Sequence, residues 1–159
     1  MAMHKIFTFN PSNILNINWE KSALIIITGC AISLLTVVNC QYLSIFVVFV
    51  SFIIAAVQPM RCLTQLMNNK QIITNLWNIA NSEQLVDYFH SKDGKSYPYN
   101  SVIVDVFSNH KLYRLDFYAN GIVHSDAIYK LDNRITEAFN TVLIDKHRNS
   151  WGMSYFIEK

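Results

Sequence analysis

Thirty-nine consecutive residues, from Ser22 to Met60, carry no charged side chain. No other feature constrains the fold as tightly. A single helix of that length would measure about 58 Å, roughly twice the hydrocarbon core of a bilayer. The run must therefore fold back. Asn39-Cys40-Gln41 is the strongly polar cluster inside it and marks the turn. Two spans are predicted, Ser22–Val38 and Tyr42–Gln58, each of 17 residues and at the short end of the spanning range. Pro59 disfavours helix at Gln58 and marks the exit. The alternative is a buried core hairpin of a soluble protein, but a 159-residue soluble domain would not normally supply so long an uncharged run. A secretory leader does not fit, because the run begins after residue 21 and continues through a second span.

Basic residues orient the spans. Lys5 and Lys21 precede the first, Arg61 and Lys70 follow the second, and the connecting turn has none. Both termini are expected in the cytoplasm, with the spans in a plasma membrane. Trp19 and Tyr42 stand where interfacial aromatics belong. Cys30, Cys40 and Cys62 have no metal-binding spacing and read as free thiols.

Small and hydroxyl residues form a seam on each span. Gly29, Ser33 and Thr36 fall at i, i+4 and i+7 of the first; Ser44, Ser51 and Ala55 fall at i, i+7 and i+11 of the second. Such seams let helices approach closely in lipid, either within the hairpin or between copies in a homo-oligomer. Phe46, Phe49 and Phe52 lie on another side and are expected to face acyl chains. The run holds no ionisable carboxylate or amine, which argues against a transporter-type relay.

Residues 61–159 hold 11 basic and 10 acidic side chains, an electrostatically mixed set. Arg61 to Ala80 reads as a helix with Leu66, Ile73, Leu76, Trp77 and Ala80 on one face. Asn81, with Gln84 three residues on, predicts a capped helix over Ser82–His90. From Val102 the period changes to two, predicting strands over 102–107 and 111–118. Asn120-Gly121 then predicts a hairpin returning over Ile122–Tyr129. Asp132 or Asn133 caps a last helix bearing Ile135, Phe139, Val142 and Leu143, and Trp151–Ile157 reads as a fourth strand or a docking tail. The expected fold is a membrane protein. An interfacial segment (1–21) leads into a two-helix transmembrane hairpin (22–60), followed by a small cytosolic α+β domain (61–159) with a three- or four-stranded antiparallel sheet.

No nucleophile elbow, phosphate loop, dinucleotide fingerprint or zinc-ligand spacing is present. His124 and Asp126 would share a strand face, but without a third ligand or a nucleophile they define no metal or catalytic centre. No cofactor is expected, and no enzymatic activity. Lys111, Tyr113, Arg114 and Tyr118 are the nearest approach to a basic aromatic surface. They are a candidate partner surface on the sheet, although direct nucleic-acid binding is not expected from so even a charge balance.

The layout of an uncharged Ser22–Met60 block followed by a small mixed domain resembles, in architecture, the two-transmembrane effectors of bacterial anti-phage systems, in particular the retron-associated type. That resemblance implies a location in the bacterial inner membrane. It implies a cytosolic part restrained or triggered by a protein or protein–nucleic-acid complex, and spans that damage the bilayer on release. Two other readings fit the same layout: an immunity or exclusion protein that neutralises a membrane-targeting toxin or plasmid entry, and a membrane anchor for a larger complex.

Overall fold

The computed structural model describes residues 3–13, 19–36 and 41–159; the expected turn at Asn39-Cys40 lies outside them. The backbone is described at Trp19, Thr36 and Gln58 but their side chains are not, so the interfacial role expected of Trp19 lies outside the described residues. The chain divides into two compact units. One is the segment 15–68. The other is a body made from 1–14 together with 69–159.

The body is built on a five-stranded antiparallel sheet of order β1-β4-β5-β7-β6. Its strands are β1 (His4–Phe9), β4 (Ile103–Ser108), β5 (Leu112–Tyr118), β6 (Leu143–Asn149) and β7 (Gly152–Glu158). A separate two-stranded ribbon joins β2 (Val86–His90) to β3 (Ser96–Ser101). Phe7, Phe9, Val104, Val106, Leu115, Phe117, Tyr155 and Ile157 form one buried face of the large sheet. Leu76 and Ile79 of helix α3 (Lys70–Ser82) and Ile135 of helix α4 (Asp132–Phe139) close over it. Strand alternation makes this face, since residues two apart project to the same side. Tyr155 anchors the centre. Its hydroxyl donates to Ile128 O at 2.6 Å and accepts from Leu131 N at 3.2 Å, which joins the sheet to the connection before α4. Burial pushes that phenol up to about 12.

Several expectations are corrected here. The sheet has five strands, not three or four, because residues 4–9 supply an edge strand. Phe7 and Phe9 gain a core. The helix expected over Ser82–His90 is replaced by β2. Gln84 adopts φ +54°, Leu85 N donates to Ala80 O at 2.8 Å, and the buried Leu85 seals a Schellman end to α3. The Asn120-Gly121 turn forms, with both residues at positive φ, but no returning strand follows it. The turn is held to the end of β3 by Asn120 Nδ2 donating to Ser101 O and Asn100 Nδ2 donating to Gly121 O. The chain then coils through a short 3-10 helix, Ser125–Tyr129, and β7 takes the place beside β5. β7 brings Met153, Tyr155 and Ile157 to the core, more apolar bulk than Ile122–Tyr129 could offer on one face.

The segment 15–68 contains α1 (Trp19–Thr36) and α2 (Gln41–Asn68). The expected two-helix transmembrane hairpin of equal spans is corrected: among the described residues one helix, over Tyr42–Asn68, is long and apolar enough to cross a membrane. Among the described residues helix α1 opens on Glu20 and Lys21 and is followed as far as Thr36. Helix α2 has 28 residues and runs about 42 Å, with Pro59 inside it.

Candidate functional site

The residues singled out as seams meet inside the chain. Gly29, Ser44 and Ala55 are buried between α1 and α2. A Cβ on Gly29 would lie 2.0 Å from Ser51 Oγ and 2.5 Å from Ser51 Cβ, so only glycine lets the helices approach this closely. Ser33 is half-buried, and Thr36 ends α1 with its side chain outside the described residues. Ser51 Oγ donates to Val47 O at 2.8 Å and Thr28 Oγ1 to Leu24 O at 2.8 Å, so both hydroxyls are satisfied within their own helices, as lipid would demand.

Ser22 belongs to this seam and was not anticipated. Proline at 59 has no N–H to give the carbonyl four residues before it, which is Ala55 O. Ser22 Oγ donates to that carbonyl at 3.3 Å in a buried setting. One hydroxyl on α1 thus supplies the hydrogen bond that α2 lacks, and α2 passes its proline unbroken. The signal was present in the sequence: Ser22 stands seven residues before Gly29, on the same helix face.

Outward from the seam the segment is apolar. Leu24, Ile27, Leu34, Phe46, Phe49, Phe52, Ile53 and Met60 are all exposed. Phe46, Phe49 and Phe52 lie on the outside, where the spacing had placed them. A contiguous exposed apolar surface of this kind marks an interaction with lipid or with protein.

In the body, the candidate partner residues separate. Arg114 and Tyr118 sit on the face of β5 opposite the core, while Tyr113 faces the core side and packs at its edge. Lys111 is exposed in the turn before β5. Around Arg114 and Tyr118 a polar network is built. Asp105 and Asp116 are direct cross-strand partners, two carboxylates side by side. Lys5 Nζ reaches Asp105 Oδ1 at 2.7 Å, Thr8 Oγ1 donates to the same oxygen at 2.7 Å, and Tyr118 OH donates to Oδ2 at 3.5 Å. Arg114 pairs with the buried Asp116 at 3.1 Å and stacks on Phe107 at 4.0 Å. Burial, and then the two carboxylates, raise the Tyr118 phenol above its ordinary range. Tyr118 also stacks on Trp151, with ring centroids 4.5 Å apart. The network balances its charge internally and presents aromatic and polar groups together. Its N-terminal members, Lys5 and Thr8, could be assigned only once β1 was known to pair with β4.

His124 and Asp126 do not share a strand. His124 precedes the 3-10 helix and lines a shallow cleft of about 410 Å³ with Asp87, Tyr88, His90 and Tyr99. Asp87 Oδ2 accepts from Val123 N at 3.0 Å, and Ser96 Oγ shares a hydrogen bond with His90 Nδ1 at 2.8 Å. Both groups are therefore engaged in holding loops. Among the described residues no three His, Cys, Asp or Glu side chains gather as a metal site. Comparison with known proteins finds no matching family model, no similar curated protein and no similar solved structure.

Proposed function

We propose that this chain is a membrane-attached, non-enzymatic effector of the bacterial inner membrane, whose segment 15–68 enters lipid and whose body is the part restrained or triggered by a cytosolic partner complex. The observation that carries this reading is the inversion of burial between the two units. The body hides its apolar residues in a closed core, while the segment directs them outward from a small-residue seam. Water disfavours the second arrangement and lipid favours it. The connectivity supports the same reading. β1, before the segment, and β4, after it, are hydrogen-bonded neighbours in one sheet. Both ends of the segment are thus tied to one folded body. The flanking Lys5, Lys21, Arg61 and Lys70 favour the cytoplasm for that body.

The resemblance to retron-associated effectors suggests a reverse-transcriptase complex as the kind of partner that restrains the body. The seam itself is spent on joining α1 to α2. Self-assembly into a leaking oligomer would therefore use the outer phenylalanines of α2, not Gly29 or Ser51. The same fact weakens an immunity reading in which the seam receives a toxin helix. Inducible expression alone in a bacterium, followed with a potential-sensitive dye and a growth curve, tests the proposal. Rapid depolarisation with growth arrest is expected. Normal potential and growth at high expression would overturn it in favour of immunity or anchoring.

A further inference from the structure

The ribbon β2–β3 presents a pair of aromatic rings on the face turned away from the cleft. Phe89 and Tyr97 are direct cross-strand partners and project to one side, 62% and 53% exposed. On the other side the Tyr88 hydroxyl donates to Asn81 Oδ1 at 3.4 Å, and Tyr88 and Tyr99 line the cleft beside His124. The connecting turn is Ser91-Lys92-Asp93-Gly94-Lys95. It is closed by Ser91 N donating to Lys95 O at 2.8 Å and Gly94 N to Ser91 O at 3.0 Å, with Gly94 at φ +76°. The tip is thus ordered by backbone bonds and exposes two lysines against one aspartate.

We infer that the β2–β3 ribbon is an interfacial anchor that dips its aromatic residues into the headgroup layer of an anionic bilayer. The inference rests on the membrane attachment proposed above. Two features favour lipid over a folded partner. Tyrosine and phenylalanine on a ribbon combine apolar bodies with polar rims, the chemistry enriched at the membrane–water boundary. Lysines at the tip extend their ammonium groups toward phosphate while their stems lie along the apolar rings. The ribbon would hold the body at the membrane surface, at a site separate in sequence from segment 15–68.

The test uses the full chain with Cys30, Cys40 and Cys62 replaced by alanine and one cysteine introduced by Tyr97→Cys, labelled with an environment-sensitive fluorophore. Phe49→Cys on α2 serves as a parallel labelling site, and Lys92→Cys at the tip as a second site on the ribbon. Vesicles of phosphatidylcholine and phosphatidylglycerol carry bromine on the acyl chains close to the headgroups. The expected result is a blue shift and loss of emission at 97 and 92, growing with the phosphatidylglycerol content, together with quenching at 49. Quenching at 49 without any at 97 or 92 would overturn the ribbon anchor while leaving the membrane reading intact. No quenching at any of the three would overturn both. Quenching relieved by a single-stranded oligonucleotide, or a shift at 97 that needs the oligonucleotide and no lipid, would overturn the lipid assignment in favour of base stacking.

Discussion

Phe49 and Phe117 are the same side chain in opposite settings. Phe117 is 1% exposed, set edge-on against Tyr155 in the body. Phe49 is 63% exposed on the outer surface of α2. Fully hiding such a ring from water is worth about 1.5–3 kcal/mol. The body gains that contribution at every buried position of its sheet, and the segment forgoes it at residue after residue. What is buried in the segment is Ser22, Gly29, Ser44 and Ala55, small side chains that bring little apolar area with them. The difference is the one expected if, as proposed, the two units are suited to different solvents. Side-chain area drives the first, and close backbone approach with internal satisfaction of hydroxyls drives the second.

The largest expected effect comes from placing one carboxylate in each setting. Leu115→Asp puts a charge in the closed core and should cost several kcal/mol, enough to abolish the thermal transition of the body. Phe49→Asp should leave that transition unchanged. It should instead deplete the chain from the membrane fraction, since a carboxylate near the centre of a lipid-embedded helix costs about 3 kcal/mol. Equal effects of the two substitutions on the melt would break the comparison.

Next in size is Tyr155→Phe, which removes the hydroxyl shared by Ile128 and Leu131 and should cost about 1–3 kcal/mol in denaturant titration. It also carries a pH signature. The phenol titrates at about 12 in the fold and near 10 in an unfolded chain, so the fold keeps a proton that the unfolded chain loses between those values. The stabilisation is complete below pH 10 and is lost as pH rises toward 12, on the order of 2–3 kcal/mol in all. Tyr155→Phe should lose less stability than the parent protein over that interval. An identical alkaline slope in both would contradict the buried hydroxyl.

The seam sharpens the comparison at a smaller scale. Ser22→Ala should weaken α1–α2 packing by about 1 kcal/mol, read by the yield of a disulfide cross-link engineered between the two helices. In a Pro59→Ala background, where residue 59 regains an N–H for Ala55 O, the same change should have little effect. Additive effects in this cycle would show that Ser22 does not serve that carbonyl. The smallest effect is a gain. Gln84→Gly relieves the left-handed conformation at the end of α3 and should raise the stability of the body by about 0.5–1 kcal/mol in thermal unfolding.

Legibility followed the same division. The uncharged run, its outward phenylalanines and its small-residue seam are visible in the sequence because composition and helical period are local. The strands over 103–108 and 112–118 and the last strand over Gly152–Glu158 are visible because alternation is local. Other elements are fixed by partners far along the chain. β1 has meaning only against β4, nearly a hundred residues later, and the Asn120-Gly121 turn would make a hairpin if β7 did not outcompete the residues that follow it. The end of α3 was hidden because glutamine, not glycine, holds the left-handed position. The length of the spans was misjudged at Pro59, whose helix-breaking penalty is offset by a hydroxyl on another helix. The polar network of Lys5, Thr8, Asp105 and Tyr118 likewise needed the register, since nothing in the spacing of Lys5 and Asp105 brings them together.

The central claim is that segment 15–68 resides in lipid. Membranes from cells expressing the full chain, washed with urea and floated through a sucrose gradient, test it most directly. The account predicts that the chain rises with the lipid after the wash and that Phe49→Asp reduces the floating fraction while Phe7→Ala, a change inside the core of the body, does not. Recovery of the parent chain at the bottom of the gradient, free of lipid, would contradict it.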